Sequence, residues 1–428
     1  MACTVRQVNY RGWDALELKN DCVSLAAVPD IGGRLMAYQL GPYSFLYNDP
    51  TLAGKLFTPE ENQGDGSLAA WKNYGGDKTW PSPQGWENED QWPGPPDPIL
   101  DSGRYSYEAG MEAGCAWVRM VSPAGSSTGI QITRQLTLLP ASTRVQAGLS
   151  FTNISHRRVR WSIWDVVQLD SSRRRPEGRL EADPSCVVTA RLNPHSRFPR
   201  GFTVMFGEEN NPQWTTDPEC SLFIGKNLWE IGKVGLDSPG GWVAFSNPSA
   251  GFAFSERFSY DPSAGYPDQG ATVEFWTVGK GRVANLDYEG SDIYLMETEV
   301  LSPFYPFEPG ETRTTSIEWG ACACTGMVSD VTPAGCVAEP LRVEPVVGGK
   351  IRLRGSFGVF DRGELWLSWK DAAGGTVESS SLGPVDPLHP VLLDAAAQVQ
   401  APPGATAIWL DVKAASSKST APLASASL

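Results

Sequence analysis

The sequence predicts an all-β protein, in which a large antiparallel β-supersandwich is followed by a small C-terminal β-sandwich. Apolar and polar residues alternate in Ile130–Leu139, Arg144–Asn153 and Val159–Leu169, which is the period of a half-buried strand. Turn-forming clusters separate such runs, and the 428 residues include 44 Gly and 34 Pro, as expected of many short strands. Helical periods of useful length are absent. Regular alternation over about three hundred residues therefore favours a large sandwich.

A change of composition near residue 330 predicts two domains. Pro333, Gly335 and Pro340 mark a joint, because both residue types interrupt regular structure. Alternation resumes in Lys350–Phe360, which indicates a second set of strands. The last residues are rich in Ala and Ser, a composition typical of disordered ends. The predicted segments are a supersandwich (1–327), a linker (328–345), a small β-sandwich (346–414) and a disordered tail (415–428).

Charge and composition exclude several classes of function. The formal net charge of −14 disfavours nucleic acid and anionic membrane surfaces, since both require a basic footprint. Long apolar stretches are absent, so we expect no membrane insertion, and the residues after Met1 are too polar for a secretory signal. Eight scattered cysteines predict buried thiols in a reducing compartment, and therefore a cytoplasmic protein. No motif predicts a metal or another cofactor.

The segment Trp71–Gln84 is the strongest candidate for ligand binding. It combines aromatic rings, amides and charges around Gly75-Gly76 and shows no helical or strand period. A sugar ring stacks its C–H face on an aromatic ring, while its hydroxyls bond to polar groups. Lys78 is interpreted either as a salt-bridged scaffold residue or as a donor to the sugar. The candidate substrate-binding residues of this segment are Asn73, Asp77, Lys78, Trp80 and Gln84.

Three further blocks carry a family resemblance. They are Ile31–Leu35, which is a glycine turn containing Arg34, Phe151–Ser155, which precedes a Trp-rich strand, and Leu295–Glu299, which is followed by Pro309–Thr312. Together they resemble the galactose mutarotase-like superfamily, which includes the aldose 1-epimerases. The Gly-Gly-Asp-Lys-Thr-Trp-Pro run resembles an uncharacterised bacterial family within it. The resemblance covers roughly residues 5 to 325, and it implies a β-supersandwich that binds or processes sugars.

The resemblance implies that Glu297 is the general base. Arg34, in the glycine turn, is a further substrate-binding candidate. Glu297 and Glu299 are two residues apart on a predicted strand, so they share one face. Two carboxylates on one face repel each other, which raises the pKa of one and suits it to acid/base work. Glu299 is therefore also a substrate-binding candidate. The alternative interpretation is a solvated face paired with arginines.

The histidine that aldose epimerases use as general acid has no counterpart here. The strand after the Asn153 turn contains Asp165 and Gln168 but no histidine, and His156 lies in the turn itself. Asp165 is the candidate acid if burial raises its pKa, and Gln168 is a candidate for binding a hydroxyl. In a regular strand these two side chains point to opposite faces, so both line a cleft only if a bulge intervenes.

Three functions remain open from the sequence. The first is a carbohydrate-binding protein with epimerase-like activity, in which Glu297 is the base. The second is a non-catalytic sugar-binding or assembly subunit, and the third is a lyase acting on uronate sugars. The expected partner is a mono- or oligosaccharide. It is an acidic one if the cluster Arg173–Arg175 binds a carboxylate, sulfate or phosphate; otherwise that cluster is a solvated loop.

Overall fold

A computed structural model of the chain describes residues 2–65, 70–84, 97–283, 286–288, 291–346, 350–394, 398–416 and 420–428. The helical elements are a 3-10 turn (Pro29–Ile31), α1 (Pro59–Gln63) and α2 (Pro98–Ser102). The described part of the chain thus contains no helix long and apolar enough to cross a membrane. The remaining elements are strands.

The strands of the first half are β1 (Thr4–Tyr10), β2 (Trp13–Lys19), β3 (Val23–Val28), β4 (Arg34–Leu40), β5 (Tyr43–Ser44), β6 (Asp77–Ser82), β7 (Ser106–Glu112), β8 (Cys115–Val121), β9 (Ile130–Leu138), β10 (Val145–Asn153), β11 (Val159–Asp170), β12 (Ser172–Arg174), β13 (Leu180–Ala182), β14 (Val187–Arg191), β15 (Thr203–Gly207), β16 (Trp214–Asp217) and β17 (Leu222–Lys226).

The strands of the second half are β18 (Gly232–Leu236), β19 (Trp242–Asn247), β20 (Phe252–Phe258), β21 (Val273–Thr277), β22 (Arg282–Val283), β23 (Leu286–Asp287), β24 (Leu295–Leu301), β25 (Tyr305–Phe307), β26 (Thr312–Ala323), β27 (Asp330–Val331), β28 (Gly335–Pro345), β29 (Lys350–Val359), β30 (Gly363–Lys370), β31 (Thr376–Val385), β32 (Val391–Leu393), β33 (Gln398–Gln400), β34 (Ala407–Ala414) and β35 (Thr420–Ser427).

Two large antiparallel sheets form the first sandwich. One runs β1-β2-β3-β4-β6-β11-β24-β21-β18-β15, with β5 on β4 and β25 on β11, and it is called the site sheet below. The other runs β16-β17-β14-β19-β20-β26-β10-β9-β8-β7. Val167 and Phe275 of the site sheet share one buried core with Leu149 and Phe254 of the other sheet. The predicted all-β supersandwich is confirmed, because alternate residues of both sheets fill the space between them.

A second, smaller sandwich follows. Its sheets run β27-β28-β29-β32, with β33 on β29, and β31-β30-β34-β35. Its core is separate from that of the first sandwich and includes Leu353, Phe357, Trp369 and Leu410. The run Lys350–Phe360 corresponds to β29, and its Leu353, Phe357 and Val359 enter this core. Every residue from Gly355 to Val359 is buried, so the predicted alternation with the surface does not extend along the whole strand.

The structure differs from the predicted linker and tail. Gly335–Pro345 is not a linker but β28, which pairs with β29. Pro340 is accommodated because the register shifts between Glu339 and Arg342, and such an irregularity requires no ladder N–H from proline. Within the predicted disordered tail, Thr420–Ser427 form β35, which pairs with β34 and buries Leu423. Small residues such as Ala and Ser therefore complete this sheet instead of ending it.

Candidate functional site

Part of the segment Trp71–Gln84 is a central strand of the site sheet rather than a surface loop. Its residues Asp77–Ser82 form β6, and all six are buried. β6 pairs with β11 over six residues but with β4 only at Leu35 and Asp77. Beyond Asp77 the two neighbours diverge, which explains why Pro81, without an N–H, is tolerated in the middle of a sheet.

The glycine pair before β6 serves close backbone packing. Gly75 and Gly76 have φ values of +92° and +73°, which residues with a Cβ rarely adopt. A Cβ on Gly75 would lie 2.3 Å from the carbonyl oxygen of Tyr47, and one on Gly76 would lie 2.5 Å from that of Leu35. The close approach expected of these glycines is thus to the protein's own backbone.

The two faces of the site sheet carry different chemistry. On β24, Met296, Thr298 and Val300 point toward the second sheet, since Met296 and Val300 belong to the shared core. Glu297 and Glu299 alternate with them and lie on the opposite face. We call this side of the site sheet the Glu297 face. It carries Lys78 and Trp80 of β6, Trp164 and Gln168 of β11, Glu297 and Glu299 of β24, Glu274 and Trp276 of β21, and Lys233 of β18.

Glu297 is the more exposed of the two carboxylates on β24. Its side chain is 11% exposed, whereas that of Glu299 is fully buried. Gln168 lies opposite Glu297 in the register and donates a 2.5 Å hydrogen bond from Nε2 to Glu297 Oε1. The other amide atom, Gln168 Oε1, is buried and has no hydrogen-bond partner among the described residues. A buried acceptor of this kind is costly unless a ligand or water bonds to it.

Lys78 lies beside Glu297 in an aromatic environment. Its Nζ is 3.6 Å from Glu297 Oε1, and its side chain is 3% exposed. The ammonium is 4.5 Å from the ring centroid of Trp80 and 5.3 Å from that of Trp71, so both rings favour the charged form. Burial nevertheless lowers the pKa of Lys78, although the Glu297 carboxylate raises it.

Lys233 forms the second cation of the Glu297 face, and it is held much more tightly. Its Nζ is 2.8 Å from Glu274 Oε2 and 2.8 Å from Glu299 Oε2. Burial alone would lower the pKa of Lys233, but the two carboxylates together raise it. Burial raises the pKa of Glu274 well above its usual value and also raises that of Glu299, where Glu297 adds to the effect. Two buried carboxyl groups thus share the charge of one lysine.

Half-buried aromatic rings surround Glu297. Trp276 lies opposite Glu297 in the β21–β24 register. Trp71, Trp276 and Tyr288 pack in one cluster around Ile231. Burial raises the pKa of Tyr288, and the Glu297 carboxylate adds to the rise. Half-buried rings next to a carboxylate, an amide and an ammonium form a set suited to a polar, ring-shaped ligand.

Asp77 and Asp165 lie on the opposite face, between the two sheets, and do not join Glu297. Asp77 accepts a 2.6 Å hydrogen bond from the backbone N–H of Leu35 and pairs with Arg134 of the second sheet. Asp165 accepts a 3.1 Å hydrogen bond from Thr79 Oγ1. Burial, with the Asp77 carboxylate adding to it, raises the pKa of Asp165 to about 7. β11 pairs with β6 and β24 without a bulge, so strand alternation separates Asp165 from Gln168.

Two of the other predicted binding residues, Arg34 and Asn73, bond to groups of the protein itself. Arg34 is fully buried and pairs with Asp101, with Nη2 2.5 Å from Oδ1. Asp101 Oδ2 in turn accepts a 2.8 Å hydrogen bond from the indole N–H of Trp71. Asn73 Oδ1 accepts from the N–H of Gly75 and shapes the turn before β6. Gln84 is buried just after β6, next to residues 85–96, which lie outside the described part of the chain.

Histidines and the arginine cluster are exposed. His156, His195 and His389 all belong to the described residues and are exposed. Arg173 and Arg175 both pair with Glu181 on the hairpin of β12 and β13, and Arg174 Nη1 donates a 2.6 Å hydrogen bond to the carbonyl oxygen of Gly178. Glu181 therefore balances only part of the positive charge of this cluster. Within the described ranges, no three His, Cys, Asp or Glu side chains are arranged to hold a metal ion.

Sequence reasoning missed several side chains of the site. Lys233, Glu274, Trp276 and Tyr288 all lie on or against the Glu297 face. A signal exists for two of them. Lys233 and Glu274 are single charges within strands whose other residues are mostly buried and uncharged, and a buried charge requires a partner. Their pairing depends on the strand order β24-β21-β18, which local sequence does not reveal.

Comparison with known proteins yields structural neighbours only. No protein-family model matches the sequence, and no curated protein matches it either. A galactose mutarotase-like protein from Clostridium acetobutylicum is 11% identical, with a TM-score of 0.46 over 75% of this chain and 98% of its own. Another, from Lactobacillus casei, is 10% identical, with a TM-score of 0.45 over 72% and 99%. Both are galactose mutarotase-like.

A third solved structure is larger than this chain. A TPR-domain containing protein from Parabacteroides distasonis is 13% identical, with a TM-score of 0.47 over 72% of this chain. The match spans only 46% of that protein, so this chain corresponds to less than half of its length. At such identities and TM-scores the likeness is one of fold, and a fold alone carries no activity. Two of these three solved structures are named as galactose mutarotase-like proteins, the superfamily that the sequence resembles.

Proposed function

We propose that the Glu297 face binds a mono- or oligosaccharide and that Glu297 acts as general base in an aldose epimerase-like reaction. The observation that carries this proposal is the set of groups around one partly exposed carboxylate. Gln168 and Lys78 lie on one side of Glu297. On the other side Trp276 lies opposite Glu297 in the register and packs in one cluster with Tyr288. A pyranose requires both an apolar ring to stack on and several polar groups for its hydroxyls.

The chemistry follows from the position of Glu297. A carboxylate that accepts the proton of the anomeric hydroxyl promotes cleavage of the bond between the anomeric carbon and the ring oxygen. The resulting aldehyde recloses on either face, which interconverts the anomers. Glu299 is less suited to this role, because its side chain is fully buried and bonded to Lys233.

The charges of the face favour an uncharged sugar. Lys78 and Lys233 both pair with carboxylates of the same face, and Arg173 and Arg175 pair with Glu181. An acidic sugar on the Glu297 face would have to displace Glu297 from Lys78 or Glu299 from Lys233. The uronate-lyase alternative needs a cation to neutralise the substrate carboxylate, so it is less well supported.

A second candidate is a non-catalytic sugar-binding or assembly subunit. It is favoured by the exposure of all three histidines, since the epimerases that the sequence resembles use a histidine as general acid. The eight cysteines are all unpaired, which supports a cytoplasmic location for either function.

Nuclear magnetic resonance of α-glucose and α-galactose anomerisation tests the proposal. Wild type should accelerate the interconversion of at least one sugar, and Glu297→Gln should reduce that acceleration by about 100-fold or more. Glu108→Gln, which changes an exposed glutamate at a distant strand, is the matched control and should behave as wild type. Calorimetric binding without any acceleration would contradict the enzyme and favour the binding subunit.

A further inference from the structure

We propose that Lys78 is the proton donor to the ring oxygen of the sugar when Glu297 acts as base. The inference rests on the proposed function and deepens it, because ring opening requires an acid as well as a base. It assigns that role to a lysine of the Glu297 face, in a chain whose histidines are all exposed.

The geometry of the pair suits this role. The anomeric hydroxyl and the ring oxygen are bonded to the same carbon, so the acid and the base that serve them must be neighbours. Lys78 and Glu297 project from the same face, with Nζ 3.6 Å from Oε1. That separation is longer than a hydrogen bond, so the ammonium protons are free to turn toward a bound ring oxygen.

The two lysines of the Glu297 face differ in how closely carboxylates bind them. Lys233 lies 2.8 Å from both Glu274 and Glu299, and these partners occupy its protons and raise its pKa. The pKa of Lys78 is instead lowered by burial, which makes its ammonium the stronger acid. Lys233 is therefore a structural cation, whereas Lys78 is available for chemistry.

Charged groups on three neighbouring elements act on the Lys78 ammonium. Glu297 and Glu299 of β24 and Asp101 of α2 favour its ammonium form, while Arg34 of β4 disfavours it. The faces of Trp71 and Trp80 also favour the ammonium. The carboxylates and the rings thus favour the ammonium form of Lys78, whereas burial and Arg34 lower its pKa.

The proton transfers balance within one turnover. Glu297 takes the proton of the anomeric hydroxyl, the bond between the anomeric carbon and the ring oxygen breaks, and Lys78 gives a proton to the ring oxygen. The bond electrons leave with that oxygen, and a carbonyl forms at the anomeric carbon. After the carbon–carbon bond next to the carbonyl rotates, reclosure returns one proton to Lys78 and one proton from Glu297 to the new hydroxyl.

The test compares Lys78→Gln and Lys78→Arg with wild type and with Lys226→Gln, an exposed lysine of β17. Anomerisation by Lys78→Gln should be slower by about 100-fold or more, while sugar affinity changes only a few-fold. The alkaline decline of the pH–rate profile, which reports loss of the Lys78 proton, should disappear. Lys78→Arg preserves the positive charge and controls for folding; it should bind sugar but react slowly, because guanidinium does not release its proton.

Each outcome decides between the claims. Slow variants that bind sugar and lack the alkaline decline support the role of Lys78. A Lys78→Gln enzyme with the wild-type rate and profile overturns it, even when Glu297→Gln is inactive. Absence of acceleration by wild type overturns the proposed reaction itself, and with it the role of Lys78. If Lys78→Gln fails to fold, a folded Lys78→Arg variant with the wild-type rate and profile overturns it instead.

Discussion

Replacing Asp165 by Asn should stabilise the protein at alkaline pH. Asp165 is fully buried between the two sheets, where burial and Asp77 raise its pKa from 3.8 to about 7. The folded state therefore keeps a proton that the unfolded state releases. The free energy of unfolding therefore falls as the pH rises from about 4 through about 7. In that range folding requires Asp165 either to take up a proton or to be buried as a second negative charge beside Asp77.

The size of the effect follows from the shift. A rise in pKa from 3.8 to about 7 corresponds to about 4 kcal/mol over the whole pH range. About 2.5 kcal/mol of this falls between pH 5 and 8. The side-chain amide of the Asp165→Asn variant would remain neutral throughout and could still accept the hydrogen bond from Thr79. The Asp165 carboxylate also raises the pKa of Glu256. Removing this carboxylate therefore lowers the pKa of a second buried acid.

Urea unfolding followed by tryptophan fluorescence measures this effect. The free energy of unfolding of Asp165→Asn, minus that of wild type, should increase by about 2 to 3 kcal/mol from pH 5 to pH 8. Asp14→Asn, at an exposed position of β2, should show a difference near zero at both values. A difference for Asp165→Asn that does not vary with pH would refute the raised pKa and its cause.

Two further predictions concern the stability of the folded protein. Lys233→Met should destabilise the protein by about 3 to 5 kcal/mol, because it leaves two buried carboxyl groups without their cation; Lys226→Met, at an exposed position, should change stability by less than about 0.5 kcal/mol. Equal stability of both variants would contradict the buried pairing. Gly76→Ala should cost about 1 to 3 kcal/mol more than Gly178→Ala, because both glycines have positive φ but only a Cβ at Gly76 meets the Leu35 carbonyl oxygen. Thermal unfolding with equal shifts would argue against that contact.

Alternation predicted strands well where one strand face is buried and the other is not. Ile130–Leu139 corresponds to β9 and Arg144–Asn153 to β10, each with one face in the core. The same rule fails for β6, because both of its faces are buried and both carry polar side chains. Asp77 faces Arg134, and Lys78 faces Glu297. The polarity that suggested a loop therefore comes from ion pairs to distant strands.

The candidate site was only partly accessible from sequence. Two-residue spacing puts Glu297 and Glu299 on one face, as the structure has them. The same rule of alternation separates Asp165 from Gln168, and the structure contains no bulge to reunite them. Lys233 bonds to Glu299 from a strand more than sixty residues earlier in the chain, so its role depends on the order of strands in the sheet. Sequence patterns determine which side chains share a strand face, whereas topology determines which strands meet.

A crystal structure of the protein soaked with the sugar that wild type anomerises fastest, or binds most tightly, tests the central claim most directly. We predict that the sugar lies on the Glu297 face, with its anomeric hydroxyl within about 3 Å of a Glu297 oxygen. Its ring should lie against Trp276 or Trp71, and its ring oxygen should face Lys78. A sugar bound at another surface, with Glu297 and Gln168 unchanged and uncontacted, would contradict the account.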